Sequence, residues 1–159
     1  MIKNINLGDK KDSIEKLQAF KNEKMNPRFI RIINSRIKDL NKVIGRSVFR
    51  KDAVYINSLT LYEIMQPMGG KGKHNYHGLT PVEVYNALSR LKYSKNISIS
   101  YLDRYVVITD VCVKDNVNLV IIITPQSNIP DENLENIVTI ITIYPSDREN
   151  RQKRKVQKK

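Results

Sequence analysis

Both histidines of this chain lie in one short segment that is otherwise rich in glycine and polar residues. The segment Met68–His77 reads MGGKGKHNYH and contains Lys71, Lys73 and His74. It has no apolar period, so we expect a loop. An imidazole exchanges protons near neutral pH, lysines attract phosphate, and glycines let backbone amides point at an anion. The segment therefore combines acid–base groups with anion-binding groups.

This combination suits the cleavage of RNA. RNA carries its own nucleophile, so the reaction needs a base for the 2′-hydroxyl proton, an acid for the leaving 5′-oxygen, and donors or cations around the phosphorane. Histidine can take either proton-transfer role. A phosphate-binding P-loop is excluded, because the glycine run lacks the Ser or Thr that must follow its lysine. The motifs of zinc proteases and serine hydrolases are also missing.

Metal and disulfide chemistry have little support in the sequence. Cys112 is the single cysteine, and together with the two histidines it falls short of a four-ligand zinc site. Acidic residues of the second half flank predicted turns and need not converge on magnesium. These are Asp103, Asp110 and Asp115. We expect no metal and no cofactor.

The charge of the chain points to a polyanionic partner. The 159 residues include 28 Lys+Arg and 16 Asp+Glu, a formal net charge of +12. Such an excess favours nucleic acid first and an anionic membrane surface second. Part of it lies in the C-terminal run, which is either a solvated arm or a phosphate-contacting arm. We expect an N-terminal helical arm at 1–27, a domain at 28–145 and a basic flexible tail at 146–159.

Nothing in the sequence predicts a membrane segment. The first twelve residues lack an apolar stretch of signal-peptide length. The longest apolar run, Val117–Ile123, is far shorter than the roughly 20 residues that a spanning helix needs. We therefore expect a cytoplasmic protein that does not bind membranes.

The first half of the chain alternates between helical and strand patterns. Apolar spacing predicts helices over Asp12–Met25, with Ser13 as a candidate cap, over Ser35–Ile44 and over Ser58–Met65. Strands are predicted over Arg28–Ile33 and Ala53–Asn57. A further helix begins at Thr80-Pro81-Val82-Glu83, which supplies an N-cap, a proline at the first helical position and a capping-box glutamate.

The second half is rich in β-branched residues. Four strands are predicted, over Ile97–Tyr101, Tyr105–Thr109, Val117–Thr124 and Ile137–Tyr144. The first three should form an antiparallel meander, and a loop over Pro125–Asn136 should lead to the last. The expected fold class is α+β, with N-terminal helices packed on one face of a four-stranded antiparallel sheet.

The last predicted strand carries hydroxyl groups on both faces. Thr139 and Thr142 differ by an odd number of residues, so in an ideal strand they face opposite sides. Thr142 then shares its face with Ile140 and Tyr144. We expect one threonine to be present for its β-propensity alone.

Several segments together resemble a known nuclease superfamily. They are KHNYHGLT, the helix VEVYNALSRL, and the strands RYVVITDV, NLVIIIT and ENIVTIITIYP, the last closing with Asn136, Thr142, Ile143 and Tyr144. Over about 28–145 the chain resembles the phage branch of the barnase–EndoU–colicin–RelE (BECR) superfamily. The resemblance implies a metal-independent ribonuclease, a toxin of phage or mobile-element origin, with helices before a four-stranded antiparallel sheet that bears the active site.

The same resemblance implies roles for particular residues. His77 or His74 would act as general base or acid, and we favour His77 because the amides at the Thr80 helix start could address the same phosphate. The remaining implied catalytic residues are Thr142 and Tyr144, facing the scissile phosphate, with Arg104 and Thr109 flanking them. The expected RNA-binding residues are Lys71, Lys73, Arg90 and Lys92.

The chain departs from the family in one place, and alternatives to catalysis remain. Related nucleases often have a histidine or basic residue in the short helix where this chain has Tyr62-Glu63-Ile64, so Glu63 is a further acid–base candidate. The expected partners are RNA, such as tRNA, and an acidic antitoxin or immunity protein. The alternatives are a non-catalytic nucleic-acid-binding module and a phage-encoded inhibitor that binds an acidic host protein.

Overall fold

The computed structural model describes residues 1–68 and 75–147 and has an α+β fold. The predicted tail at 146–159 lies almost entirely outside the described residues. The described helices are α1 (Lys10–Asn22), α2 (Leu40–Ile44), α3 (Ser58–Ile64) and α4 (Pro81–Arg90). The strands are β1 (Asn4–Asn6), β2 (Phe29–Ile33), β3 (Val54–Asn57), β4 (Asn96–Ile99), β5 (Tyr105–Val113), β6 (Val117–Ile129) and β7 (Leu134–Pro145).

All seven strands join one mixed sheet in the order β1-β2-β3-β7-β6-β5-β4. The prediction of a four-stranded antiparallel sheet is therefore wrong for the sheet as a whole. Strands β4 to β7 do pair antiparallel with their neighbours, which includes the predicted meander. The sheet then continues through a parallel pair of β7 with β3 and a parallel pair of β1 with β2. Parallel pairing needs a long connection, so no turn signal announces it in the sequence.

One face of the sheet carries the hydrophobic core. Directly paired residues share a face, and the row Ile56, Ile140, Ile123 and Tyr105 is at most 4% exposed. Helices α3 and α4 pack on this face, and α1 packs on both of them. The expected placement of helices on one face of the sheet is thus observed.

The N-terminal segment 1–27 contributes to this core. It contains β1 and α1, and Ile5, Leu17 and Phe20 are at most 1% exposed. The cap of α1 is Asp9, whose side chain accepts from the amide of Asp12, rather than Ser13. Ser13 lies inside the helix and is fully buried. Its hydroxyl donates to the Asn6 carbonyl, which satisfies this polar group in the core.

Local chemistry predicts the start of α4 correctly. The Thr80 hydroxyl accepts from the Glu83 amide at 3.1 Å, and the Glu83 carboxylate accepts from the Thr80 amide at 2.8 Å. This reciprocal capping box satisfies two backbone donors within four residues. Helix α4 therefore begins where the sequence predicts.

The predicted loop over Pro125–Asn136 is wrong in extent. Strand β6 continues to Ile129 and β7 begins at Leu134, so only a short turn separates them. The pairing register skips Pro125 and Gln126, which form a bulge. A bulge accommodates proline because its missing N–H is not required by the ladder. Among the described helices, none is long and apolar enough to cross a lipid bilayer.

Candidate active site

The segment that carries His77 is anchored to the end of α3. The Gly78 amide donates to the Gln66 carbonyl at 2.7 Å, and the Leu79 amide donates to the Ile64 carbonyl at 3.0 Å. Gly78 has φ +66°, a conformation that side chains rarely adopt, and Met68 lies 3.5 Å from the place of its missing Cβ. Leu79 is 2% exposed and belongs to the core. These contacts hold the backbone on which His77 stands.

His77 contacts two residues of β7 that sequence analysis also selected. Its Nε2 atom lies 3.2 Å from the Thr142 hydroxyl oxygen, and its ring centroid lies 6.0 Å from that of Tyr144. Thr142 is 65 positions away in sequence. The pairing of β3 with β7 ends at Ile140, so His77 contacts the part of β7 that extends beyond β3. The structure thus brings three predicted catalytic residues together.

An irregularity in β7 decides which side chains can reach His77. The register passes from Ile123 with Ile140 to Ile122 with Thr142, which leaves Ile141 as an extra residue. Ile140 and Ile143 therefore both face the core, and Thr142 faces away from it with Tyr144. The predicted sharing of a face by Thr142 and Ile140 is wrong, because the bulge reverses the alternation. The prediction that Thr139 and Thr142 face opposite sides is wrong for the same reason.

The two residues before His77 contact α3. The Asn75 side-chain amide donates to the Glu63 carboxylate at 3.2 Å. The Tyr76 ring lies edge-on to the Tyr62 ring, with centroids 6.5 Å apart. Residues 75–77 therefore bridge α3 and β7, and Glu63, the further acid–base candidate, binds a residue two positions from His77.

The cluster of His77, Thr142 and Tyr144 contains groups suited to proton transfer. A neutral imidazole nitrogen can accept a hydrogen bond from a threonine hydroxyl or donate one to it, according to its tautomer, and the hydrogen bond sets the ring orientation. His77 is only 4% exposed. Its neighbours Thr142 and Tyr144 are half-buried and so are more accessible than the imidazole.

Thr109 is not part of this cluster. It is 2% exposed, and its hydroxyl donates to the Leu119 carbonyl at 2.8 Å. The Asn118 side chain donates to the Thr109 carbonyl at 2.9 Å. Because Thr109 follows core-facing Val107 by two residues, it points to the face opposite Thr142. Thr109 stabilises the irregular pairing of β5 with β6.

Arg104 shares a sheet face with the cluster but lies apart from it. It directly precedes β5, and alternation places it on the face of Val106, which pairs through Ile122 with Thr142. Two strand spacings, about 10 Å, separate β5 from β7. Arg104 can therefore contact a long ligand on this face, and not the atoms next to His77.

Two of the predicted RNA-binding residues lie at the end of α4. Arg90 forms an ion pair with Asp110, with Nε 3.1 Å from the carboxylate, and its guanidinium lies 4.5 Å from the Tyr93 ring centroid. The Lys92 amine lies 5.2 Å from the same ring. The hydrogen bond to Arg90 lowers the pKa of Asp110, and the bond to Asp110 raises the pKa of Arg90. Arg90 is thus engaged within the protein.

The other predicted residues of the glycine loop, Lys71, Lys73 and His74, lie outside the described residues. Within 1–68 and 75–147, no three His, Cys, Asp or Glu side chains lie close enough together to hold a metal ion.

Sequence analysis missed the contacts that connect the His77 segment to α3. It did not assign Asn75, Tyr76 or Tyr62 to the site. The only signal for them is their position next to a candidate histidine and a candidate glutamate in sequence. No family model matches the chain, and comparisons with curated proteins and with solved structures give no significant match.

Proposed function

We propose that this protein is a metal-independent endoribonuclease that converts RNA to products with 2′,3′-cyclic phosphate ends, as a toxin effector of phage or mobile-element origin. His77 is the proton-transfer group, Thr142 orients it, and Tyr144 borders the scissile phosphate. The observation that carries the proposal is the 3.2 Å contact between His77 Nε2 and the Thr142 hydroxyl, with the Tyr144 ring beside it.

The surroundings of the cluster support this assignment. A hydroxyl at hydrogen-bond distance holds an imidazole in one orientation, which a general base requires. Thr142 and Tyr144 face away from the core, on the side of the sheet opposite α3 and α4. The net charge of +12 attracts an RNA backbone. Lys71 and Lys73 lie a few residues before His77 in the sequence.

The test is cleavage of end-labelled tRNA and mixed-sequence RNA by the purified protein in excess EDTA. We expect cyclic phosphate ends, with activity that follows the protein through purification. His77→Gln keeps a hydrogen-bonding side chain but cannot transfer the proton, so the rate should fall at least about 100-fold. His74→Ala, tested beside it, reports whether the second histidine takes the other proton-transfer role.

Thr142 offers a matched set of variants. Thr142→Val removes the hydroxyl and keeps the shape, so we expect about a fivefold loss of rate and a changed pH profile, since one hydrogen bond contributes about 1 kcal/mol. Thr142→Ser keeps the hydroxyl and should retain activity. Thr139→Val, on the same face of β7, is the control and should cleave as the parent does. Circular dichroism and unfolding curves verify the fold of each variant.

RNA that remains intact with every protein would contradict the nuclease proposal. Cleavage at the parental rate by both His77→Gln and Thr142→Val would also contradict it, because the activity would then lie elsewhere.

A second candidate function is a non-catalytic nucleic-acid-binding module. Two observations favour it: His77 is 4% exposed, and a polar row lies on the sheet face opposite the core. The row consists of the paired residues Asn4, Arg31 and Tyr55 of β1, β2 and β3. Arginine and tyrosine side chains on a sheet can bind phosphate and stack on bases.

RNA binding without turnover separates this module from the nuclease. If the module is correct, RNA binds and stays intact, and His77→Gln binds it as the parent does. Tyr55→Leu should then weaken RNA binding about tenfold, which corresponds to the loss of one stacked base. A gel-shift titration at fixed salt measures both variants.

A further inference from the structure

Among the residues that the structure describes, strand β4 forms one edge of the sheet and pairs with β5 alone. Its register with β5 shows which backbone groups point outward. The Ser100 amide donates to the Arg104 carbonyl across the pair. Because inward and outward groups alternate along an antiparallel strand, Ser98 also points inward, and Ile97 and Ile99 point their N–H and C=O groups to the free edge. Four backbone groups in a row are thus available to another strand.

The side chains of β4 do nothing to protect this edge. Natural proteins usually place charged residues, prolines or bulges on exposed edge strands. The stretch 96–100 reads NISIS, which has none of these, and its pairing with β5 is regular. Ile99 is 55% exposed and Leu102, in the turn that follows, is 68% exposed. An added strand would bury apolar surface as well as satisfy backbone groups.

A cleft of about 300 Å³ opens beside Ile99. Arg46 lines it and donates to the Tyr105 hydroxyl at 3.2 Å, and Asp103 and Gln126 lie on its wall. A side chain of an added strand that pointed to the core side of β4 would lie next to this cleft. The edge therefore offers a place for side chains beside the row of backbone groups.

Charge selects the occupant of this edge. Lys95 precedes β4, Arg104 follows its turn, and Arg46 lines the adjacent cleft. Two acidic residues lie nearby, Asp103 in the wall of this cleft and Asp110 beside Lys95, and Asp110 is already paired with Arg90. A second copy of this chain would bring the same basic residues to the contact. Like charges in contact are unfavourable, and opposite charges speed association and fix register. The local charge therefore favours an acidic strand over self-association.

We infer that the β4 edge binds an extended acidic segment of a partner protein, which adds to the sheet as an eighth strand through the backbone groups of Ile97 and Ile99. This inference is independent of the ribonuclease proposal, since β4 lies three strands from β7 in the sheet. Strand addition draws affinity from main-chain hydrogen bonds, and the charges and the cleft give it specificity.

The probe is a capped peptide, Glu-Val-Thr-Val-Glu-Val, at millimolar concentration, with Lys-Val-Thr-Val-Lys-Val as the matched control of opposite charge. Amide hydrogen exchange of the isotope-labelled protein is measured residue by residue. We expect the acidic peptide to slow exchange at Ile97 and Ile99 at least about fivefold, with little change at Ser98, whose amide already bonds to β5. The basic peptide should have no such effect.

Two variants test the role of the backbone. Ile99→Pro removes an outward amide without breaking the β5 ladder, which an edge strand tolerates, and should abolish the protection. Ile99→Val keeps the amide and the branched side chain and should bind as the parent does. Should Ile99→Pro fail to fold, Ile99→Asp keeps the amide and should weaken the acidic peptide by charge repulsion.

Three results would overturn the inference. The first is the absence of protection with either peptide. The second is protection without alternation between outward and inward amides, which indicates general charge attraction. The third is a concentration-dependent dimer of the protein alone, seen by sedimentation, with Ile97 and Ile99 protected in it, because a second copy would then occupy the edge.

Discussion

The two edge strands of the sheet, β1 and β4, differ in whether side chains bond to their outward-pointing backbone groups. At the β1 edge, side chains of α1 cover the strand carbonyls: the Ser13 hydroxyl donates to Asn6 at 2.6 Å and the Lys16 amine donates to Asn4 at 3.3 Å. At the β4 edge, no described side chain bonds to the outward groups of Ile97. Length does not distinguish the two edge strands, since β1 has three residues and β4 has four.

The difference follows from chain order. Helix α1 directly follows β1 and packs back against it, so its polar side chains reach the strand they have just left. Strand β4 follows the short turn after α4, and no element of the described part of the chain lies on its outer side. The outward backbone groups of β1 are therefore bonded because the next helix packs against that strand, and those of β4 are exposed because no described element does so.

The largest expected effect comes from matched isoleucine variants at the two edges. Ile5 in β1 is fully buried and Ile99 in β4 is 55% exposed. Ile5→Ala should lower the free energy of unfolding by about 2–5 kcal/mol, because it leaves a cavity in the core. Ile99→Ala should change it by less than about 1 kcal/mol. Urea unfolding measures both, and equal losses would remove the distinction between the edges.

A smaller effect tests the hydroxyl that closes the β1 edge. Ser13→Ala removes the donor to the Asn6 carbonyl, so we expect a loss of about 1–2 kcal/mol in the free energy of unfolding. Ser89→Ala in α4 is the control, because its buried hydroxyl has no hydrogen-bond partner among the described residues. The control should be neutral or stabilising, since alanine favours helix. A loss at Ser89 as large as at Ser13 would contradict this account.

The smallest effect concerns the ion pair of Arg90 and Asp110, which lies near the β4 edge of the sheet. The Arg90 hydrogen bond lowers the pKa of Asp110 from its reference value of 3.8. A lowered pKa in the folded state gives stability that is present above the unfolded-state pKa and is lost as pH falls through the folded-state pKa. Asp110→Asn should therefore flatten the decline of stability below about pH 4. Because the pair is about half exposed, the change should be small and weaker at high salt. Unchanged acid unfolding curves would show that the pair contributes nothing.

The elements that sequence analysis predicts well are those set by neighbouring residues. The capping box of Thr80 and Glu83 involves residues three apart and fixes the start of α4. The turn after α2 is similar, since Gly45 ends that helix with φ +86°. The strands of the second half follow from their β-branched runs. These features need no information about distant parts of the chain.

The sheet itself could not be predicted in this way. Strand β1 spans only Asn4–Asn6 and lacks a periodic pattern, and β3 pairs with β7 across more than eighty residues of sequence. Pairing over such separations depends on burial of a shared face, which many alternative arrangements of the same strands offer. The four-stranded expectation failed for this reason.

In the candidate site, too, the sequence predicts the residue types, and the tertiary structure determines whether they meet. Sequence analysis selected His77 from the chemistry of its loop, and Thr142 and Tyr144 through the family resemblance. Their contact depends on the extra residue Ile141, which turns Thr142 away from the core, and on the anchoring of Gly78 to α3. By itself the sequence determined the local elements, the charge and the available chemistry, because these depend on residues close together in the chain. The tertiary structure alone decided the edges of the sheet, the bulge and the meeting of the three side chains, because these depend on how distant segments pack.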